Sequence, residues 1–204
     1  MKKIIYSPGE PSGIGPDLII KLSSSNLWED LKIPIVSIGD PKLFIDRAAV
    51  LKKKIQIVEL ESPNEVSENT RGLLQIIKVT KCSNTRPGKL YKSNAQYVLN
   101  NLTYSIEQTM QNEETALVTG PLSKENIISI DKLFIGHTEY IKKITKSKDV
   151  LMMLASDQLR VALATTHIPL KNVSRTISKE LIINKIKILN NCLLYTSPSP
   201  RDGL

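Results

Sequence analysis

The spacing of apolar and polar positions changes period several times along this chain, and the changes mark its elements. Lys3–Ser7 is a short apolar run that predicts a first strand. Leu18, Ile19, Ile20 and Leu22 follow as a helix, with Pro16 in its first turn and Asp17 placed favourably for the helix dipole. Residues 33–38, IPIVSI, predict a second strand. Asp40 then reads as the N-cap and Pro41 as the first residue of a helix that turns Leu43, Phe44, Ala48 and Leu51 to the core. Residues 55–60 and 73–79 predict two further strands, separated by a loop at 61–71, and 84–88 is a turn.

The second half continues the pattern. Ser93 is expected to cap a long helix whose stripe of Val98, Leu102, Ile106 and Met110, widened by Tyr97 and Leu99, serves the core or a subunit interface. Thr115–Thr119 predicts a short buried strand, and Ser123 an N-cap for a helix from Lys124 to Ile128. Thr138 is the expected cap of a helix over 139–144. Residues 150–155 are wholly apolar and read as a buried strand. Asp157-Gln158 makes a hairpin-like turn into 160–166, and Val161 to Ala164 suits a buried strand. Ser178 starts a last helix with Ile182, Ile183, Ile186 and Leu189 on one face. Strands alternating with helices give an α/β fold.

Three loops carry candidate chemistry. Pro8-Gly9-Glu10-Pro11-Ser12-Gly13-Ile14-Gly15-Pro16 is a rigid strand-to-helix loop: either a backbone cradle near a ligand, with Gly9, Glu10, Gly13 and Gly15 lining it, or a tight structural turn. It is neither GxGxxG nor a P-loop, for no Gly-Lys-Ser/Thr follows. Gly120-Pro121 leads into a helix with Lys124 in its first turn, where a cation opposes the dipole. Lys124 is thus a candidate to face a ligand, or else an ordinary surface lysine. The two histidines of the chain are His137, in the polar turn 136–139, and His167. A histidine and a threonine hydroxyl at a helix start suit a phosphate or carboxylate. Pro169 ends the preceding strand near His167, which predicts an imidazole at the carboxyl end of a buried strand, where open parallel sheets bind ligands. A functional site built from these two histidine loops is the expectation.

Composition narrows the classes. The net charge is +8, but lysines are dispersed and aromatics are only 4%, so a solvated basic surface is expected and nucleic acid is not a partner. No apolar run approaches a membrane span. Two cysteines suggest no disulfide framework, and a reducing cytoplasm fits best.

The motifs at 8–17, Thr119-Gly120-Pro121 with Lys124, Gly136-His137-Thr138-Glu139, Met152-Met153-Leu154-Ala155 and 160–167 with Pro169-Leu170 closely resemble the 4-hydroxythreonine-4-phosphate dehydrogenase family of vitamin B6 synthesis, from about Ile4 to about Asn191. Ser7 stands where that family usually has threonine, and Ser12 where alanine is usual. The resemblance implies an α/β/α two-subdomain fold similar to isocitrate and isopropylmalate dehydrogenases, C-terminally truncated here, and a homodimer. It implies NAD- or NADP-dependent oxidation of 4-phosphooxy-L-threonine, with decarboxylation to 3-amino-2-oxopropyl phosphate. A divalent metal would assist: zinc, alternatively magnesium or cobalt. His137 and Thr138 match residues that contact the substrate, and His167 matches the first of three metal histidines. No catalytic or cofactor-binding residue is assigned. A paralogous dehydrogenase of a four-carbon sugar-acid phosphate, such as threonate or erythronate phosphate, is the alternative.

No histidine follows His167, so the other two metal ligands of the family are not found, and the 204-residue chain is expected not to turn over substrate. Residues 1–191 are expected to be an incomplete dehydrogenase domain. The stretch from Cys192 to Leu204 resembles a translated sequencing adapter and is expected to be a non-native tail that breaks off the last helix.

Overall fold

The computed structural model describes residues 2–196, with the side chains of 192–196 excepted. In chain order the elements are β1 Lys3–Ser7, α1 Gly15–Ser23, α2 Leu27–Asp30, β2 Ile35–Ile38, α3 Pro41–Val50, β3 Gln56–Glu59, β4 Leu73–Ile77, α4 Ala95–Met110, β5 Thr115–Thr119, α5 Lys124–Ile128, α6 His137–Thr145, β6 Met153–Ala155, β7 Arg160–Ala162, α7 Leu170–Thr176 and α8 Lys179–Thr196. They form two compact units, divided between Lys146 and Ser147.

The first unit is a parallel sheet in the order β3-β4-β2-β1-β5. Alternation along the strands sends successive residues to opposite faces. Tyr6, Ile35, Leu74 and Ile76 pack with Ile19 and Ile20 of α1, Trp28 of α2 and Phe44 of α3. Ile5, Val36, Ile38 and Ile77 face the other way, with Leu117 and Tyr104 packed against them. Helices therefore cover both faces, which is the expected α/β/α layering. Because the strands are parallel, all their carboxyl ends lie along one edge of the sheet, and the loops after β1, β2, β4 and β5 gather there.

Several local features differ from the sequence expectation. The helix after Tyr91 is not capped by Ser93: a 3-10 turn at Lys92–Asn94 precedes it, and Asn94 is the N-cap residue. Val98, Leu102 and Ile106 are buried in the core of this unit, whereas Met110, in the last turn, is 58% exposed. β5 is not a buried strand. It pairs only with β1 among the described strands, and Val118 is exposed on it. Helix α6 starts at His137 itself, with Gly136 as its cap, so Thr138 lies within the first turn.

The second unit departs furthest from expectation. Residues 150–155 and 160–166 do not form buried strands of a parallel sheet. β6 and β7 are an exposed antiparallel hairpin, closed by Ser156 and Leu159, whose backbone atoms bond at 2.8 Å. A three-residue strand with a tight turn pairs with its neighbour in sequence without needing a crossover. Ile182, Ile186 and Leu189 of α8 line a small open cleft with Leu151, Ala162 and Ala164, Ile186 remaining largely exposed there, and Ile183 is exposed as well. The Ser178 hydroxyl accepts from Leu181 N at 3.1 Å, as expected of a cap. Helix α8 runs through Cys192 to Thr196 instead of breaking there, for Cys192-Leu193-Leu194-Tyr195 contains no helix breaker. Residues 197–204 of the expected tail lie outside the described residues. No helix among the described residues is long and apolar enough to cross a membrane.

Candidate functional site

The loop between β1 and α1 is packed, not open. Gly9 has φ +78°, and a Cβ on it would overlap the Pro121 carbonyl. A Cβ on Gly15 or on Gly120 would likewise overlap the Pro8 carbonyl. Backbone bonds join the loop to its neighbours: Glu10 N donates to Pro121 O at 2.9 Å, Gly120 N to Ser7 O at 2.7 Å, and Gly88 N to Ser12 O at 2.9 Å. Within the loop, Gly13 N bonds Glu10 O at 2.9 Å and Ser12 N bonds Glu10 Oε1 at 3.2 Å. Three of the amides a ligand would need in a cradle are therefore already engaged.

Arg47 of α3 braces this loop from beneath. Its guanidinium donates to Asp17 Oδ1 at 2.6 Å, Pro11 O at 2.7 Å and Gly13 O at 3.0 Å. Asp40 performs a similar task for the loop after β4. Besides accepting from Lys42 N at 3.2 Å as an N-cap, its carboxylate accepts from Cys82 N at 2.8 Å, and its own N–H donates to the Tyr97 hydroxyl at 3.0 Å. Burial, with Asp40 and Glu10 nearby, pushes the Cys82 thiol up to about 12.

The half-open part of the site is the approach of α5 to α6. The Ser123 hydroxyl accepts from Asn126 N at 3.2 Å and so caps α5, as its sequence predicts. The Asn126 amide donates to Glu10 Oε2 at 3.2 Å and to Tyr91 O at 3.1 Å. Helix α6 is docked on α4 by Tyr140, whose hydroxyl shares a 2.7 Å hydrogen bond with Thr103 and whose ring lies 5.5 Å from that of Phe134. These tethers bring Lys124 over Gly136: its Nζ lies 3.6 Å from where a Cβ on that glycine would stand, and Glu139 Oε2 3.4 Å from the same point. His137 is half-buried beside it. Burial first, and then the Lys124 charge, hold its imidazole below the ordinary value, so it is neutral at pH 7. No side chain caps α6. An exposed ammonium, an uncapped helix start and a threonine residue at 138 bring hydrogen-bond donors together here, with the Glu139 carboxylate beside them.

The two histidines belong to different units. His137 is in the first; His167 is exposed in the second, in the left-handed conformation at φ 57°. It follows a hairpin, not the carboxyl edge of the parallel sheet. Among the described residues, no three His, Cys, Asp or Glu side chains gather in a way that could hold a metal ion.

Sequence patterning does not single out Arg47 or Asn126. Arg47 left a signal, for it interrupts the apolar stripe Leu43-Phe44-Ala48-Leu51, where a cation must find buried acceptors. Asn126 left none, since its partner Glu10 is 116 residues away.

Residues 30–201 match the family model described as pyridoxal phosphate biosynthetic protein PdxA. The chain is 35% identical over 193 residues to a 4-hydroxythreonine-4-phosphate dehydrogenase of Citrobacter koseri, covering 95% of this chain and 57% of that protein. It is 38% identical over 191 residues to the enzyme of the same name from Yersinia pestis, covering 94% and 56%. Its fold is similar to the crystal structure of 4-hydroxythreonine-4-phosphate dehydrogenase from Klebsiella pneumoniae, with a TM-score of 0.85 at 25% identity over 98% of this chain and 60% of that one. The chain thus spans little more than half the length of the curated relatives it matches.

Proposed function

We propose that this chain, which belongs to the PdxA family of pyridoxal phosphate biosynthetic proteins, supplies the substrate-anion anchor of a 4-hydroxythreonine-4-phosphate dehydrogenase. The reaction is oxidation of the C3 hydroxyl of 4-phosphooxy-L-threonine to a ketone, followed by loss of the C1 carboxylate as CO₂ to leave 3-amino-2-oxopropyl phosphate. A nicotinamide cofactor, NAD or NADP, supplies the hydride acceptor when bound, and no residue of this chain is assigned to it. The reading carries with it a cytoplasmic setting and a homodimer.

The observation that supports the reading is the approach of Lys124 to Gly136 and His137 at the uncapped start of α6, with Thr138 in the first turn of that helix. Lys124 offers a point charge to a phosphate or carboxylate. The first-turn N–H groups and the Thr138 hydroxyl offer oriented donors. His137, kept neutral, can donate one hydrogen bond through one ring nitrogen and accept another at the other. The family resemblance assigns His167 to a divalent metal, zinc or alternatively magnesium or cobalt. In this chain it is a single exposed imidazole, which does not fit a complete three-ligand site.

The test is an assay of the protein expressed from its source locus, following reduction of NAD and of NADP with a panel of substrates. Turnover of 4-phosphooxy-L-threonine, with release of CO₂, is expected. Turnover of threonate or erythronate phosphate in its place would transfer the protein to a paralogous reaction in which C2 carries a hydroxyl instead of an amine. The 204-residue chain itself is expected to bind 4-phosphooxy-L-threonine without turning it over, and no binding in a calorimetric titration would overturn the reading.

A further inference from the structure

We infer that Glu10 is a positioning residue: its buried carboxylate, by accepting from Asn126, sets α5 so that Lys124 stands over Gly136 beside His137. The inference rests on the reading of Lys124, His137 and Thr138 as an anion anchor.

Glu10 is 4% exposed, and its carboxylate is held by two N–H donors: Ser12 N and the Asn126 amide, each at 3.2 Å. Burying a carboxylate is costly, so its bonds are strong constraints on whatever donates them. One donor lies in its own loop, and the other is in α5. That helix has five residues, too few to hold its own direction. Its tethers are the Ser123 cap, the buried Ile127 and the two bonds of the Asn126 side chain. Lys124 lies two residues before Asn126, roughly 200° around the helix. Fixing Asn126 on the inner side therefore aims Lys124 outward on the other. The same Glu10 residue is tied by its backbone to Pro121, so the loop after β1 and the loop after β5 move as one piece with α5.

The experiment is a pH titration of the histidine ring signals by NMR in the full chain, which has only two histidines. His137→Gln assigns the His137 signals. Lys124→Met gives the full contribution of Lys124 to the His137 pKa, an expected upward shift. Asn126→Ala, which changes no charge, is expected to reproduce most of that shift. Glu10→Gln keeps the shape of the side chain but sets one donor against another, and is expected to move His137 upward as well. Loss of the Glu10 charge alone would move it downward, so a rise reports displacement of Lys124. Glu10→Gln carries the test if Asn126→Ala does not fold, as judged by circular dichroism. Folded variants that leave His137 titrating as in the parent would overturn the inference, as would a Lys124→Met variant with no shift. Inorganic phosphate added to the parent separates the two readings: if it fails to move the His137 signals the anion anchor falls, while the Glu10 result stands or falls by the variants.

Discussion

The Arg47 guanidinium and the Asp17 carboxylate, thirty residues apart, form a 2.6 Å ion pair in which the arginine side chain is 4% exposed and the aspartate 23%. Arg47 also satisfies the Pro11 and Gly13 carbonyls, so one side chain joins α3 to the β1–α1 loop and to the start of α1. Arg47→Met is expected to lower the unfolding free energy by about 3 kcal/mol, at the low end for a broken buried pair because Asp17 can regain water. Arg47→Lys should recover little of it, for an ammonium cannot reproduce the three-way fork. Urea denaturation of the three proteins checks both statements.

Gly9 and Gly88 separate two costs that a glycine substitution usually confounds. Both have positive φ, 78° and 77°, but a Cβ on Gly9 overlaps Pro121 whereas one on Gly88 meets nothing within 4 Å. Gly88→Ala should cost about 1 kcal/mol for its backbone alone, and Gly9→Ala at least about 2 kcal/mol more for the overlap. Equal losses on thermal unfolding would contradict the close packing of the loop.

His137 gives the protein a pH-dependent stability of definite sign. Its folded pKa lies below the ordinary 6.5, so between the two values the unfolded chain binds the proton and the folded one does not. Stability should therefore fall as pH drops below about 6.5, the loss levelling out beneath the folded pKa. His137→Asn should flatten that part of a melting-temperature profile while leaving its neutral end in place.

Cys82 should be inert. Its thiol is raised from 9.0 to about 12. The thiolate fraction at pH 8 is then lower by roughly a thousandfold. Iodoacetamide labelling of the Cys82 peptide, followed by mass spectrometry, should be slow in the native protein and rapid in urea. Rapid native labelling would show that the loop after β4 opens away from Asp40.

Lys124→Ala should weaken a phosphorylated substrate by about 10- to 100-fold, the size of one lost charge-assisted hydrogen bond. The loss, read as a weaker dissociation constant in a calorimetric titration, should shrink at high salt because Lys124 is exposed.

Much of the first unit was legible along the chain. Lys3–Ser7 emerged with its predicted bounds, and Asp40, Pro41 and Ser123 occupy the cap and first-turn positions their residue types suggest. These features follow from contacts within a few residues. The region from 150 to 167 is ambiguous along the chain because an apolar run of four to six residues fits a buried parallel strand and an exposed hairpin equally well. Only the pairing partner decides between them, and here the partner is the adjacent run.

The sequence by itself determined the alternation of elements, the parallel α/β class and the residue types that could bind an anion. It also placed Lys124, His137 and Thr138 near helix starts, where local geometry leaves N–H groups free. What only the tertiary structure decided is what those residues meet. Glu10 turns inward to Asn126, Arg47 reaches under the loop to Asp17, Lys124 comes to rest over Gly136, and His167 stands in a separate unit from His137. The reason is physical: caps and turns are set by bonds a few residues long, but a buried charge is satisfied by whichever donor or acceptor the fold brings to it, at any distance along the chain.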